Sequence, residues 1–424
     1  MQFPEQSTEG GNTAVASAKR FSPLTQERKI QHDSAAGVAN IPADLLPLLR
    51  CPITGSALRW MDESELGRLN ADASRGDAAH LDGTPVDETI PAALVNMDGS
   101  LAYRIGDGIL MMLPITAIAL TRAAAAQYGG AHRREKADIK GFYDRIGWTR
   151  SESGHFEDAV VFEDLRPVSA AYIRKAHLRL KNYLLPSGDY LLDVASGPVQ
   201  YPEYLTYSQD YKRRVCMDIS ISALREARRK LGDKGVYILG DITKLPLQSN
   251  ALDAVISLHT IYHVPKDEQR NAFEELYRVL KPGRRGLIVY TFTDSLLMRL
   301  GAWPSRGYNA ARHSAPARGL KRLLGKKPAA AAPAAAETAA KESQGVGFYF
   351  YAHSLKWFTS QTWSFPLRIV TWRSMDVQFM RKYIHPRRFG KLLLALIYGF
   401  ETLFPRFTGR HGAYPMFLLE KSEP

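Results

Sequence analysis

Three aspartates, Asp193, Asp218 and Asp241, stand at or near the ends of apolar runs. The carboxyl ends of parallel strands meet at one edge of a sheet, and open α/β sheets bind ligands there. A carboxylate at Asp218 can accept hydrogen bonds from both hydroxyls of a ribose, and one at Asp241 can meet an adenine amino group. The acids therefore predict a site for a nucleotide-like ligand. The predicted strands that carry them are YLLDVAS (190–196), RRVCMDIS (213–220) and VYILGDI (236–242).

The first of these runs passes directly into a loop of small residues, Asp193-Val194-Ala195-Ser196-Gly197-Pro198. Small side chains let a ligand approach the backbone closely, and exposed N–H groups at the start of the next helix bind polar ligand atoms. We therefore expect this loop to contact the ligand. The residues expected at the site are Asp193, Ala195, Ser196 and Gly197 from this loop, with Ile219 and Ile242 beside the other two acids.

Two histidines follow a fourth predicted strand, LDAVISLHT (252–260). His259 and His263 would lie at the same edge, and histidine is a frequent general acid or base. Each is a candidate for contact with a cofactor, contact with a substrate, or removal of a proton. The alternative for each is a packing or helix-capping role. Tyr262, between them, is expected to be a wall of the pocket.

Alternating strands and helices must position these loops. A helix at 222–232, with Ser222 as its N-cap and Gly232 as its stop, follows the second strand. The remaining predicted elements are a helix at 266–280, a strand at 286–292, a strand at 367–377, a helix at 385–404 and a strand at 413–421. The pattern predicts an α/β protein with a seven-stranded, mostly parallel sheet and helices on both faces.

Residues 186–292 resemble class I S-adenosylmethionine-dependent methyltransferases, in particular the methyltransferase type 11 group, which includes the quinone-biosynthesis C-methyltransferases. The matching pieces are LLDVASGPVQYPEYL, VCMDISISALREAR, GDITKLPLQSNALDAVIS and LYRVLKPGRRGLIVYTF. In the first motif, usually D-x-G-x-G-x-G, Ala195 and Val199 stand in place of the first and third glycines. The resemblance implies a Rossmann-like methyltransferase fold, S-adenosyl-L-methionine as cofactor, Asp218 as the ribose acid, and methyl transfer to an acceptor. It adds His259 to the residues expected at the cofactor.

The chain divides by composition into six parts. They are a disordered arm (1–40), a small α+β module (41–115), a helical lead-in (116–185), the methyltransferase core (186–300), a low-complexity insertion (301–346) and the C-terminal part of the core (347–424). Within the module, Asp98-Gly99 predicts a hairpin turn, and the acidic stretch 62–93 is predicted to be loop.

The module, in its pieces LLPLLRCPITGSAL and AYRIGDGILMMLP, resembles the zinc-ribbon-like domain of the tRNA-methyltransferase activator family. A structural zinc site needs four ligands, usually paired cysteines. Here Cys51 stands alone, because Thr54 occupies the place of a second cysteine and the later half of the module has none. We therefore predict that the module binds no metal.

The net charge of +13 belongs to the last third of the chain, since residues 301–424 hold 19 Lys and Arg against 6 Asp and Glu. Such an asymmetry predicts an acidic partner or a solvated basic surface. The helix at 385–404 carries KLLLALIYGF, which can belong to the core, cap an apolar substrate or rest on a membrane. We expect a small-molecule or lipid-like acceptor and peripheral membrane contact through the basic C-terminal region. The charge leaves RNA open as a partner, but the sequence contains no recognisable RNA-binding motif.

The sequence leaves two other functions open. A methyltransferase fold that has lost its activity would serve as a scaffold or binding protein. A nicotinamide-dependent dehydrogenase shares the sheet and the ribose acid, but no G-x-G-x-x-G stands at the first loop.

Only two cysteines are present, which excludes a disulfide scaffold. No signal peptide is expected at the N-terminus, and the predicted location is the cytoplasm, with peripheral membrane association.

Overall fold

The computed structural model describes residues 41–129, 162–301, 349–387 and 389–423. The predicted arm at 1–40, residues 130–161 of the predicted lead-in and nearly all of the predicted insertion at 301–346 lie outside the described residues.

A single twelve-stranded sheet runs through the described chain, in the order β1-β2-β3-β4-β8-β7-β6-β9-β10-β12-β11, with β5 paired to β3. The strands are β1 (Leu58–Trp60), β2 (Ala92–Asn96), β3 (Leu101–Gly106), β4 (Ile109–Met111), β5 (Ile118–Ala119), β6 (Gly188–Val194), β7 (Tyr211–Asp218), β8 (Gly235–Leu239), β9 (Leu252–Leu258), β10 (Leu280–Val289), β11 (Arg368–Arg373) and β12 (Tyr414–Glu420).

The seven predicted strands are neighbours in the sheet, in the order β8-β7-β6-β9-β10-β12-β11. The first five in this order, β8, β7, β6, β9 and β10, are parallel to one another. Strand β12 runs antiparallel to both of its neighbours, β10 and β11. The α/β class and the mostly parallel core are therefore confirmed. The predicted number of seven strands is wrong for the whole sheet, because β4 pairs in parallel with β8 and joins the five N-terminal strands to the core. This pairing covers the backbone edge that β8 would otherwise expose.

Helices cover both faces of the core. Leu192 of β6 packs in the same cluster as Phe273, and Leu191, which points to the opposite face, packs with Leu224. The helices are α1 (Glu63–Arg75), α2 (Arg122–Tyr128), α3 (Ala170–Arg179), α4 (Pro202–Leu205), α5 (Ile221–Leu231), α6 (Gln269–Val279), α7 (Leu296–Gly301), α8 (Leu355–Ser360), α9 (Val377–Tyr383), α10 (Gly390–Leu403) and α11 (Pro405–His411). Short 3-10 helices lie at Leu46–Leu48, Pro114–Thr116, Leu180–Asn182, Thr206–Ser208, Gly232–Lys234 and Ile261–His263.

Local capping chemistry decides where several elements begin. The N-cap of α5 is Ser220 and not the predicted Ser222, since the Ser220 hydroxyl accepts from the backbone N–H of Ala223. In the stretch predicted to be loop, α1 forms because Asp62 and Glu65 make a capping box, each side chain accepting from the backbone of the other. The predicted hairpin is confirmed: β2 and β3 are antiparallel around Asp98-Gly99.

The N-terminal strands show how Cys51 is used. Its sulfur lies 3.0 Å from the hydroxyl of Tyr103, accepts from the backbone N–H of Thr54, and is buried. Among the described residues, no three or more His, Cys, Asp or Glu side chains are grouped to hold a metal ion. The prediction of a metal-free module and the domain boundaries remain predictions, and the resemblance to a zinc ribbon is not shown.

Three helices, α9, α10 and α11, connect β11 to β12. A Cβ added to Gly409 of α11 would stand 2.2 Å from the backbone carbon of Val370, so α11 lies directly against β11. None of the helices within the described ranges combines the length and apolar character that crossing a membrane requires.

This close approach gives a test of the fold. Gly409→Ala should lower the free energy of unfolding by about 1–3 kcal/mol, since the added methyl group meets fixed backbone. The matched control is Gly399→Ala in α10, where no atom lies within 4 Å of the place that the added Cβ would take. That change should be neutral or stabilising by up to about 1 kcal/mol. Urea denaturation measures both, and equal effects of the two substitutions would contradict the packing described.

Candidate functional site

The loops at the carboxyl ends of β6, β7 and β8 surround a partly open cleft with a volume of about 60 Å³. The cleft lies where the strand order reverses, because β6 is flanked by β7 on one side and by β9 on the other. Open α/β sheets bind ligands at such switch points. The lining residues are Val194, Ala195, Met217, Asp218, Ile219, Gly240, Asp241, Ile242, Thr260, His263, Val264 and Pro265.

Asp218 holds two of these loops together. Its Oδ2 accepts from the backbone N–H of Gly197 at 2.8 Å, and its Oδ1 accepts from that of Ser220 at 2.9 Å. Its backbone carbonyl accepts from Gly240 at 2.9 Å, which ties in the third loop. Asp218 is 5% exposed as a residue and still borders the cleft. Its charge therefore faces the ligand space from a fixed position.

The second acid, Asp241, is held by its own turn. Its Oδ1 accepts from the backbone N–H and the hydroxyl of Thr243, at 2.9 and 2.8 Å. Ile219 and Ile242 border the cleft beside the two acids. The cleft therefore combines two carboxylates with apolar walls, an arrangement that suits a ligand with hydroxyl or amino donors on a flat apolar ring.

The first loop takes a glycine-like conformation at three alternate residues. The φ angles of Ala195, Gly197 and Val199 are +53°, +54° and +47°. These are the positions at which the D-x-G-x-G-x-G pattern has glycine. A residue with a Cβ pays roughly 1–2 kcal/mol in this region, and a β-branched residue is a rare occupant. The loop therefore keeps its shape without two of its glycines, and the Lys230 ammonium supports it by donating to the carbonyls of Pro198 and Val199.

Asp193 is turned away from the cleft. Its carboxylate pairs with Arg214, whose Nε lies 3.1 Å from Oδ2, and both side chains are buried. Arg214 also donates from Nη1 to the carbonyl of Tyr204 at 2.7 Å. Asp193 therefore anchors the strand beneath the loop, whereas Ala195, Asp218, Ile219, Asp241 and Ile242 line the cleft. Ser196 and Gly197 are not among the lining residues, although both belong to the loop that borders it.

His263 lines the cleft and is buried. Its Nδ1 lies 3.0 Å from the carbonyl oxygen of Tyr349. Because a carbonyl oxygen only accepts, Nδ1 carries the hydrogen and Nε2 carries the lone pair. Burial lowers the pKa of His263 to about 4, although the Tyr349 carbonyl works in the opposite direction. The ring is therefore neutral at neutral pH.

His259 lies outside the cleft lining, in an aromatic setting. Its ring centroid is 4.5 Å from that of Trp372 and 5.3 Å from that of Tyr414, both in edge contacts. Its backbone has a φ of +59°. Desolvation, and then the positive charge of Arg373, lower the pKa of His259 to about 3. The structure thus brings His263 to the cleft and His259 to the neighbouring end of β11.

A buried group of charges at this end of β11 was missed by sequence reasoning. Arg373 donates to Glu163 at 2.6 Å, and Nε2 of His177 lies 3.6 Å from the same carboxylate. Burial alone would raise the pKa of Glu163, but Arg373 and His177 outweigh it and lower the pKa to about 2. The Trp372 ring stacks on His177 at 5.6 Å and also touches His259. These residues share no motif and meet only in the folded chain.

The backbone conformation of Ala195 gives one prediction. Ala195→Gly should raise the free energy of unfolding by about 1 kcal/mol, because glycine adopts a positive φ without a Cβ penalty. The control is Ala176→Gly in α3, a buried helical position at which the same change should cost about 1 kcal/mol or more. Chemical denaturation gives both values. Destabilisation of similar size at both positions would exclude the strained conformation.

The lowered pKa of His263 gives a second prediction. Its folded value of about 4 lies below the ordinary 6.5, so the unfolded chain binds more protons between the two values. The contribution of His263 to stability is complete above pH 6.5 and is lost as the pH falls towards 4. His263→Gln should make this decline shallower by up to about 1.4 kcal/mol per pH unit. Urea titrations across this range test it, with His385→Gln at an exposed position as control. A slope unchanged by His263→Gln would contradict the burial described.

Comparison with known proteins gives a match over part of the chain. Residues 192–288 match the family described as "Methyltransferase domain". The ubiquinone/menaquinone biosynthesis C-methyltransferase UbiE of Yersinia enterocolitica is 36% identical over 129 residues, which cover 29% of this chain and 49% of that protein. UbiE of Yersinia pestis is 32% identical with the same coverage. The chain thus spans about half the length of the curated relatives it matches.

Solved structures of methyltransferases are similar at lower identity. Geranyl diphosphate C-methyltransferase from Streptomyces coelicolor has a TM-score of 0.39 at 13% identity, covering 68% of this chain and 98% of that one. Phosphoethanolamine N-methyltransferase 2 of Haemonchus contortus has a TM-score of 0.39 at 14% identity, covering 67% and 61%. Because both scores lie below 0.5, the assignment rests on the sequence match. Residues 192–288, which run from β6 to β10 and include all the lining residues of the cleft, match the methyltransferase domain family.

Proposed function

We propose that the chain transfers a methyl group from S-adenosyl-L-methionine to a small-molecule or lipid-like acceptor. The observation that carries this proposal is the convergence of Asp218 and Asp241 with the small-residue loop of β6 on one cleft at the switch point. The family match of residues 192–288 supports the same activity. The comparisons give no support to a nicotinamide-dependent dehydrogenase or to an inactive scaffold.

The residues of the cleft fit this cofactor. The Asp218 carboxylate suits a pair of ribose hydroxyls, because it borders the cleft and the backbone N–H groups of Gly197 and Ser220 fix its position. Asp241 suits an amino group on an adenine ring, with Ile219 and Ile242 as apolar neighbours. Ala195 presents only a methyl group to the ligand. When bound, S-adenosyl-L-methionine supplies an electrophilic methyl group on a sulfonium.

The remaining cleft residues act on the acceptor. Val264 and Pro265 form an apolar wall that excludes water from the reacting groups. Neutral His263 borders the same space and, with a pKa of about 4, holds a proton only weakly, so we assign it to contact with the acceptor. His259 belongs to the adjoining wall that Trp372 and Tyr414 form. The acceptor is not specified by the relatives, since the matched segment covers 29% of the chain.

Binding of the cofactor tests the proposal. By titration calorimetry, S-adenosyl-L-methionine should bind the full chain saturably, and Asp218→Asn should weaken binding by about tenfold or more, because a charge-assisted hydrogen bond is lost. Gly197→Val should also weaken binding, since a third residue with a Cβ would strain the loop by about 1–2 kcal/mol at this positive φ and disturb the backbone N–H that donates to Asp218. The control is Asp193→Asn, which disturbs the buried pair with Arg214 and should lower stability far more than cofactor affinity.

No binding by the wild type, or equal binding by the wild type and Asp218→Asn, would overturn the proposal. Saturable binding without turnover on any acceptor class would instead favour the inactive scaffold. The acceptor itself is found by comparing the metabolites of a strain that lacks the chain with those of its parent. The precursor that accumulates should be lighter than the missing product by one methylene.

A further inference from the structure

Helix α10 is apolar on both of its sides. Leu394 is buried on the inner side, while Leu392, Leu396 and Leu403 are 56%, 63% and 75% exposed on the outer side. A helix that is apolar all round is normally covered all round. The outer side chains recur at helical spacing and continue into α11; we call them the apolar face. The apolar face consists of Phe389, Leu392, Leu393, Leu396, Phe400, Leu403, Phe404 and Phe407, all of them between 44% and 83% exposed.

The inner side of the same helix carries its charge. Glu401 is fully buried and accepts from the hydroxyl of Tyr172 at 2.6 Å and from Arg179 at 2.8 Å. The backbone N–H and the hydroxyl of Ser374 also donate to it, at 2.7 and 2.6 Å. This network fixes the rotation of α10 about its axis. The apolar face therefore points outward because Glu401, the one acid on the inner side, is held inside by hydrogen bonds to α3 and to the residue after β11.

The charges around the apolar face have one sign. Residues 377–411 contain seven Lys and Arg and a single acid, Glu401, which is buried. The flanking residues Lys382, Arg387, Lys391, Arg406 and Arg410 are exposed. An exposed apolar surface rimmed by cations is the combination that binds at the headgroup level of an anionic bilayer. A protein partner would need acidic groups around a dry apolar centre of the same extent.

The same segment adjoins the cleft side of the sheet. Strand β11 is antiparallel to β12, which is antiparallel to β10, so β11 ends and β12 begins at the edge where the parallel strands end. The segment with the apolar face leaves the sheet after Arg373 and returns at Tyr414. Contact of this segment with a lipid surface thus brings that surface to the edge of the sheet that carries the cleft.

We propose that the apolar face of α10 and α11 docks the protein on an anionic lipid bilayer, with its leucines and phenylalanines at the acyl boundary and the flanking cations on the headgroups. The proposal goes beyond methyl transfer and holds whether or not the chain is active. It also differs from a spanning helix, because α10 has 14 residues and lies along the protein surface.

Vesicle flotation of the full chain tests this surface without any cofactor. The protein should float with vesicles of phosphatidylcholine containing about 30% phosphatidylglycerol, and about tenfold less with phosphatidylcholine alone. The variant Phe389→Ser/Leu396→Ser/Leu403→Ser should float about tenfold less than the wild type, because three apolar groups no longer enter the bilayer. The matched control is Met97→Ser/Leu165→Ser/Leu296→Ser, exposed apolar residues elsewhere, which should float like the wild type.

A second variant separates the two contributions. Lys391→Glu/Arg406→Glu/Arg410→Glu keeps the apolar face and should lose the preference for anionic vesicles. Equal flotation of the wild type and the first variant, or no flotation of the wild type with anionic vesicles, would overturn the proposal. So would a stable oligomer of the wild type, seen by sedimentation without lipid, that the first variant dissociates, since the apolar face would then be a protein interface.

Discussion

The carboxylate of Asp218 is the constraint on which the cleft depends. It is nearly buried, and it accepts one backbone hydrogen bond from the loop after β6 and one from the start of α5. An ionised acid in this position is stabilised only when its oxygens are satisfied, so the two loops are held at a fixed separation. The unusual backbone of Ala195 and Val199 persists because the surrounding bonds determine the loop more strongly than its own residues do.

The core strands could be predicted from sequence because parallel strands buried on both faces read as continuous apolar runs. The ends of these runs identified Asp218 and Asp241 as cleft residues. Asp193 shows the limit of this reasoning: it precedes the last residue of β6, and the alternation of a strand turns it to the other face, onto Arg214. An apolar sequence pattern indicates where a strand ends, but it does not indicate towards which face of the sheet each side chain points.

Long-range pairings left no local signal. The parallel pairing of β4 with β8 joins residues separated by more than a hundred positions in the sequence. No local sequence pattern in either strand predicts that they pair. The same holds for Glu163 and Arg373, whose ion pair forms at 2.6 Å across the fold. The capping box of α1 was readable, since Asp62 and Glu65 have the right spacing, but the acidic composition of the stretch suggested loop.

The pairing of β4 with β8 has a consequence for shortened forms of the protein. Met112 donates its backbone N–H to Leu239 at 2.7 Å, so the N-terminal strands supply hydrogen-bond partners to the strand that leads into Asp241. A chain begun after residue 120 would present β8 as a bare edge, and bare edges join those of neighbouring molecules. Removing the N-terminal module would therefore expose the edge of β8 and create a site of self-association there. This site would lie next to Asp241, one of the two acids of the cleft.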